Sequence, residues 1–104
     1  TTHRKKPSIY IQIGGFYFSQ MSYFVYILYN PMLDRFYVGS TQDLEDRIAR
    51  HNQGRSKATK AGAPHWQLKY TEHFESLPEA RRREAYIKRM KSRIYIQKLI
   101  ELGG

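Results

Sequence analysis

Arg47, His51 and Glu84, with Tyr26 and Tyr37, are the side chains whose types and spacing could carry chemistry. Arg47 and His51 are four positions apart, so on a helix they share a face. A guanidinium offers a fixed fork of donors suited to phosphate and keeps its charge. An imidazole exchanges protons near neutral pH. The plainer roles are a solvated helix face for Arg47, paired with Asp43, and a structural helix-end histidine for His51. Glu84 lies in a cationic stretch: Arg81, Arg82, Arg83, Lys88, Arg89, Lys91, Arg93 and Lys98 are opposed between Glu79 and Lys98 only by those two glutamates. Such surroundings favour its ionised form. Its position also allows an ordinary i,i+4 ion pair with Lys88. Tyr26 and Tyr37 are two of 9 tyrosines, most of which must pack or face solvent, so spacing alone does not select them. His3, His65 and His73 show no zinc-ligand spacing.

These residues need elements to hold them. Tyr23 to Tyr29 is an unbroken aromatic and aliphatic run, the pattern of a strand covered on both faces. Asn30 to Asp34 reads as a turn in which Pro31 and Asp34 fix the bend. Phe36 to Gly39 returns as a second strand, making an antiparallel hairpin. A helix follows, capped by Ser40 or Thr41, with Asp43, Glu45 and Asp46 in its first turns and Leu44 and Ile48 facing the core. It ends near Asn52 to Gly54, where glycine supplies a left-handed stop. Arg55 to Pro64 is a basic loop. Trp66 to Phe74 reads as a third strand, with Trp66, Leu68 and Tyr70 alternating. Ser76 caps a second helix with Glu79 completing a capping box. Ile87, Met90 and Ile94 form its apolar stripe, and it runs to Leu99 or breaks near Ser92. The fold class is α+β: a three-stranded antiparallel sheet flanked by helices, in the order β-β-α-β-α with room for a third helix. Residues 1–20 read as an N-terminal extension whose origin the sequence leaves open between a tag, upstream translation and a native extra hairpin, with Ile9, Ile11 and Ile13 alternating before Gly14-Gly15. Residues 21–102 read as the functional domain.

Phe24-Val25-Tyr26, Tyr37-Val38-Gly39-Ser40-Thr41, Arg47, His51-Asn52 and Glu84 occur in one order. That order resembles the GIY-YIG nuclease superfamily, in its small stand-alone bacterial branch, over Ser22 to Leu102. Phe24 stands where the name-giving glycine would be, Val25 and Val38 replace isoleucines, and no asparagine follows Glu84. The resemblance implies a metal-dependent endonuclease that hydrolyses DNA phosphodiesters with low sequence specificity, single strands being a candidate preferred form. It implies that Tyr26 activates or orients the attacking water and Tyr37 orients water or phosphate. Arg47 would clamp the phosphate, His51 would relay a proton or anchor Tyr26, and Glu84 would hold a divalent cation, Mg²⁺ or Mn²⁺. An effective phenol base must have its pKa of about 10 depressed by nearby cations, a part for Arg47 and the metal. Gly39 would permit a tight strand exit where the substrate backbone approaches, or simply end the strand. A non-catalytic nucleic-acid-binding module on the same fold is the alternative.

Composition agrees with a polyanionic partner. The net charge is +9, from 18 Lys+Arg against 9 Asp+Glu, which favours phosphate contact with counterion release. Arg50, Lys57, Lys60, Arg81, Arg82 and Lys88 are the candidate nucleic-acid contacts, with Arg83 in the same basic cluster. Such cations track a backbone without reading bases. Trp66 and Tyr70 are core aromatics first and base-stacking candidates second. Cysteine is absent, which excludes disulfides and thiolate metal sites. No apolar run approaches a membrane span, and a cytoplasmic setting in DNA repair, recombination or uptake is the expectation. The sequence leaves the oligomeric state open.

Overall fold

The computed structural model describes residues 8–13 and 16–103. Ser8–Ile13 (β1) and Phe16–Met21 (β2) pair antiparallel as a separate two-stranded sheet. This is the hairpin expected from the isoleucine alternation. Its expected turn at Gly14-Gly15, and the basic segment 1–7, lie outside the described residues.

Tyr23–Asn30 (β3) is the centre of the main sheet. It pairs antiparallel with Arg35–Thr41 (β4) on one side and Gln67–Phe74 (β5) on the other. Val25, Tyr26, Ile27 and Leu28 are fully buried, as a continuous apolar run requires of a strand covered on both faces. Between β3 and β4 the bend is held by Asn30. Its Oδ1 accepts from the amides of Met32 (3.0 Å) and Leu33 (3.1 Å), while its Nδ2 donates to the Gly62 carbonyl (2.7 Å). Asp34 contributes a left-handed φ of 54°.

Helices cover both faces. Leu44–Asn52 (α1) places Leu44 and Ile48 over Tyr26, Leu28 and Trp66. On the opposite face, Leu77–Met90 (α2) buries Ala80 and Ile87 against Val25, Ile27 and Val38. Arg93–Gly103 (α3) adds Tyr95, Ile96, Leu99 and Ile100 to that cluster. A short 3₁₀ turn, Lys60–Gly62, sits in the loop after α1.

Four local expectations change. The cap of α1 is Asp43, whose side chain accepts from the Asp46 amide. Ser40 and Thr41 still belong to β4, and Thr41 Oγ1 accepts from the Asp43 amide one step earlier. Gly54 does take the left-handed conformation, φ +72°. In the second cap, Ser76 accepts from the Glu79 amide as expected, but the Glu79 carboxylate takes the Ser76 hydroxyl proton rather than a backbone N–H. Trp66, Leu68 and Tyr70 do not share one face. The register slips between Ile27 and Leu28, so Leu68 pairs with Leu28 and Tyr70 with Ile27, on opposite faces. A bulge inverts side-chain parity in this way, and Leu68 is left 41% exposed. Finally, the Ile87-Met90-Ile94 stripe is interrupted. Lys91 turns left-handed at φ 47°, ending α2, so Met90 and Ile94 stay exposed and Ile94 belongs to α3.

Arg83 leaves the basic cluster for a structural role. Its Nε and Nη2 donate to the two carboxylate oxygens of Glu72 on β5 (2.9 and 3.0 Å), and its Nη1 donates to the Tyr95 hydroxyl (3.1 Å). Tyr70 donates its hydroxyl to the same carboxylate. The fork therefore joins α2, α3 and β5. Replacing Arg83 with Gln should lower stability by about 1–3 kcal/mol, the cost of leaving partly buried partners unsatisfied. Urea unfolding checks this. A variant that keeps its stability would return Arg83 to the basic cluster.

Candidate active site

The sheet's edge brings the expected residues together. In β4, side chains alternate: Tyr37 and Gly39 point toward α1, and Val38 and Ser40 toward α2. Because β4 is an edge strand, residues from both helical layers meet around it. The resulting cleft, about 470 Å³, is lined by Tyr26, Tyr37, Gly39, Ser40 and Ala85, by Arg47 of α1, and by Arg81, Glu84 and Lys88 of α2. Glu84 is the one carboxylate in this lining, facing three cations.

Glu84 is held at both oxygens. Ser40 Oγ donates to Oε1 at 2.5 Å, and Lys88 Nζ donates to Oε2 at 2.7 Å. The i,i+4 pair weighed against a functional role thus forms within the site itself. Lys88 Nζ also lies 5.7 Å from the Tyr37 ring centroid, within cation–π range.

Tyr26 is fully buried, and its hydroxyl lies 2.8 Å from His51 Nε2. His51 Nδ1 lies 2.6 Å from Thr59 Oγ1. Both His51 and Thr59 are 1% exposed. Trp66 Nε1 donates to the Thr59 carbonyl (2.9 Å), fixing the loop that carries it. Asn52 clamps the same loop, donating to the Trp66 carbonyl (2.9 Å) and accepting from its amide (2.8 Å). Tyr37 meets the centre edge-on, 4.9 Å from the His51 ring.

In the protein alone, burial governs the protonation of Tyr26. Burial, with a smaller push from Tyr37, raises its pKa above the ordinary phenol value; the pull of Arg47 is weaker than the burial. The hydroxyl is protonated at neutral pH. His51 is pushed down to about 4, first by burial and then by Arg47 and Arg50, so its ring is neutral.

Gly39 has a steric reason to be glycine. It pairs with Tyr26, whose ring lies across it. A Cβ there would sit 2.6 Å from Tyr26 Cζ, and still closer to the hydroxyl oxygen. Tyr26 is fully enclosed and has no room to swing away. Gly39→Ala should lower stability by about 1–3 kcal/mol through overpacking. It should cut any nuclease rate by about a hundredfold, the scale of an ångström-sized misplacement. Paired unfolding and cleavage measurements check this, and an unchanged rate would separate Tyr26 from the reaction.

The cleft therefore gathers Tyr26, Tyr37, Arg47 and Glu84, with His51 directly behind Tyr26. Of the expected nucleic-acid contacts, Arg81 and Lys88 line it. Arg50, Lys57, Lys60 and Arg82 are exposed and outside its lining. Trp66 is 6% exposed and Tyr70 is half-buried in the opposite core cluster, so both are packing residues. Sequence reasoning missed Ser40 as a partner of Glu84 and Thr59 as a partner of His51. Strand alternation could have found Ser40, since it places that residue on the side opposite Gly39. No spacing rule marks Thr59, which reaches His51 across an irregular loop.

The α+β fold and its cleft set the class of the domain, and comparison with known proteins identifies its family. The GIY-YIG catalytic domain matches residues 22–98, and the chain belongs to that family. It is 40% identical over 55 residues to a UPF0213 protein of Halobacterium salinarum, covering 53% of this chain and 71% of that protein. To a UPF0213 protein of Clostridium perfringens it is 40% identical over 67 residues, covering 64% of this chain and 71% of that one. The solution structure of a UPF0213 protein from Bacillus halodurans aligns with a TM-score of 0.51 at 36% identity, covering 81% of this chain and 88% of the other. The antiparallel sheet with three helices is thus the fold of a solved relative. None of the described helices is long and apolar enough to cross a membrane.

Proposed function

We propose that this chain is a metal-dependent endonuclease that hydrolyses DNA phosphodiester bonds with low sequence specificity, single strands being the preferred form. The observation that carries this reading is the convergence of Tyr26, Tyr37, Arg47 and Glu84 on one cleft. The family supports nuclease chemistry on a nucleic acid.

The donor set suits a hard divalent cation. Among the described residues no group of three or more His, Cys, Asp or Glu could hold a metal. A single carboxylate completed by substrate phosphate and water is a normal Mg²⁺ environment. Glu84 would hold the ion, and the half-exposed Lys88 ammonium is the partner free to give way. When bound, Mg²⁺ or Mn²⁺ supplies charge stabilisation at the phosphate and the leaving oxygen. Arg47 from α1, and Arg81 one turn before Glu84 on α2, bind and orient the phosphate. Ser40 aims the carboxylate. Tyr26 takes the proton of the attacking water while passing its own to His51, whose neutral ring can accept it.

Cleavage of labelled single- and double-stranded DNA with Mg²⁺ or Mn²⁺, wild type beside Glu84→Ala, tests the proposal. Metal-dependent cutting that vanishes in the variant is expected, with single strands cut faster. Binding without cutting under every metal would replace it with a non-catalytic binding module.

A further inference from the structure

A groove of about 420 Å³ runs between β4 and the break joining α2 to α3. Tyr37 and Lys88 line both this groove and the catalytic cleft, so the two are continuous. Arg35, Lys88, Lys91 and Arg93 lie along it, and no carboxylate does. Arg93 is committed to Asp34, and Lys88 to Glu84. Arg35 and Lys91 are exposed and have no ion-pair partner among the described residues. They stand on opposite walls, one in the strand and one in the helix break.

The other flank of the cleft differs. There the surface continues through Ser40, Arg47 and Arg81 to Asp43 and Asp46. Two carboxylates beside two arginines give a mixed field, which offers a phosphate chain less than a wall of cations does. The charge around the cleft is therefore one-sided. The apolar wall of the cationic groove, with Phe36, Val38 and Ile96, suits sugar and base faces lying under a phosphate backbone.

We propose that this groove carries the DNA strand on one side of the scissile phosphate, with Arg35 and Lys91 as its phosphate contacts. The assignment rests on the nuclease reading and adds a direction to it: the strand leaves the cleft past Tyr37, toward the α2–α3 break.

Fluorescence anisotropy of labelled oligonucleotides in chelator, so that nothing is cut, tests the groove. The variant is Arg35→Gln with Lys91→Asn, since Asn tolerates the left-handed backbone at position 91. Affinity should fall about tenfold. The slope of log affinity against log salt should shrink by about 1.4 on single strands, or about 1.8 on duplex, for two lost phosphate contacts. Arg89→Gln with Lys98→Gln removes the same charge from residues lining neither cleft nor groove, and should leave both readings unchanged. Neutral methylphosphonate linkages should weaken wild-type binding on one side of the cut position only, an effect absent in the Arg35/Lys91 variant. Unchanged affinity and slope in that variant, beside a wild type that binds, overturn the groove and leave the nuclease reading standing. Equal losses in the control pair also overturn it. A wild type with no salt-dependent DNA binding removes the nuclease reading, and the groove with it.

Discussion

Glu84→Gln should lower DNA cleavage at saturating Mg²⁺ or Mn²⁺ by about three orders of magnitude or more, while DNA binding in chelator should hold or tighten. The size follows from the cleft's composition. Glu84 is its one acidic side chain, set against Arg47, Arg81 and Lys88. Losing several kcal/mol of transition-state charge stabilisation corresponds to about a thousandfold or more in rate. Gln keeps the shape and leaves an acceptor for the Ser40 hydroxyl, so the fold should survive. In chelator, where no cation bridges Glu84 to the phosphate, removing a negative charge from a cationic cleft favours an anionic ligand. Single-turnover cleavage and anisotropy on the same preparation read both effects. A Glu84→Gln protein that cuts within tenfold of wild type moves the metal elsewhere; equal losses in cutting and binding make Glu84 a scaffold residue.

The residues gathered in this cleft were legible through the family motif, and the fold's strongest patterns account for how some of them are positioned. The fully apolar run at Val25 to Leu28 admits little except a central strand, and that strand carries Tyr26. Arg47 and His51, one turn apart on α1, necessarily face the same side. The expected order of elements holds, and the break near Ser92 occurs where Lys91 turns left-handed. Other features depend on contacts between distant segments, which periodicity does not encode. The bulge opposite Ile27 and Leu28 is one, because β-parity looks perfect through Trp66, Leu68 and Tyr70 until the partner strand is present. Arg83 is another. In sequence it is the third of three arginines, and only the position of Glu72 on β5 distinguishes it from its neighbours. Tyr26 is the most instructive. The family resemblance suggested that Arg47 and a bound metal depress its pKa. The fold buries it under α1 and Trp66, and desolvation outweighs Arg47.

That burial sets what Tyr26→Phe should do. A phenol held protonated cannot wait as a phenolate. It can act as a base only if its own proton leaves as the water's proton arrives, and His51 Nε2, 2.8 Å away, is placed to receive it. Losing one such proton-transfer group costs about 10²- to 10⁴-fold in rate, and the Tyr26→Phe protein should lose cleavage in that range while still binding DNA. Cutting within threefold of wild type would leave Tyr26 a packing residue. The same relay fixes a pH dependence. His51 must be neutral to accept, and its pKa in the fold is about 4 rather than 6.5, so the acid limb of kcat/KM should fall near pH 4. Stability carries the opposite face of this shift. Between pH 6.5 and 4 the unfolded chain binds a proton at His51 that the folded chain refuses. Folding stability from this group is therefore complete above about 6.5 and declines as pH falls toward 4, by at most about 1.4 kcal/mol per pH unit. His51→Gln should flatten that decline in urea unfolding while lowering cleavage. An acid limb near 6.5, with stability level across the window, would mean that His51 titrates freely and that Tyr26 passes its proton elsewhere.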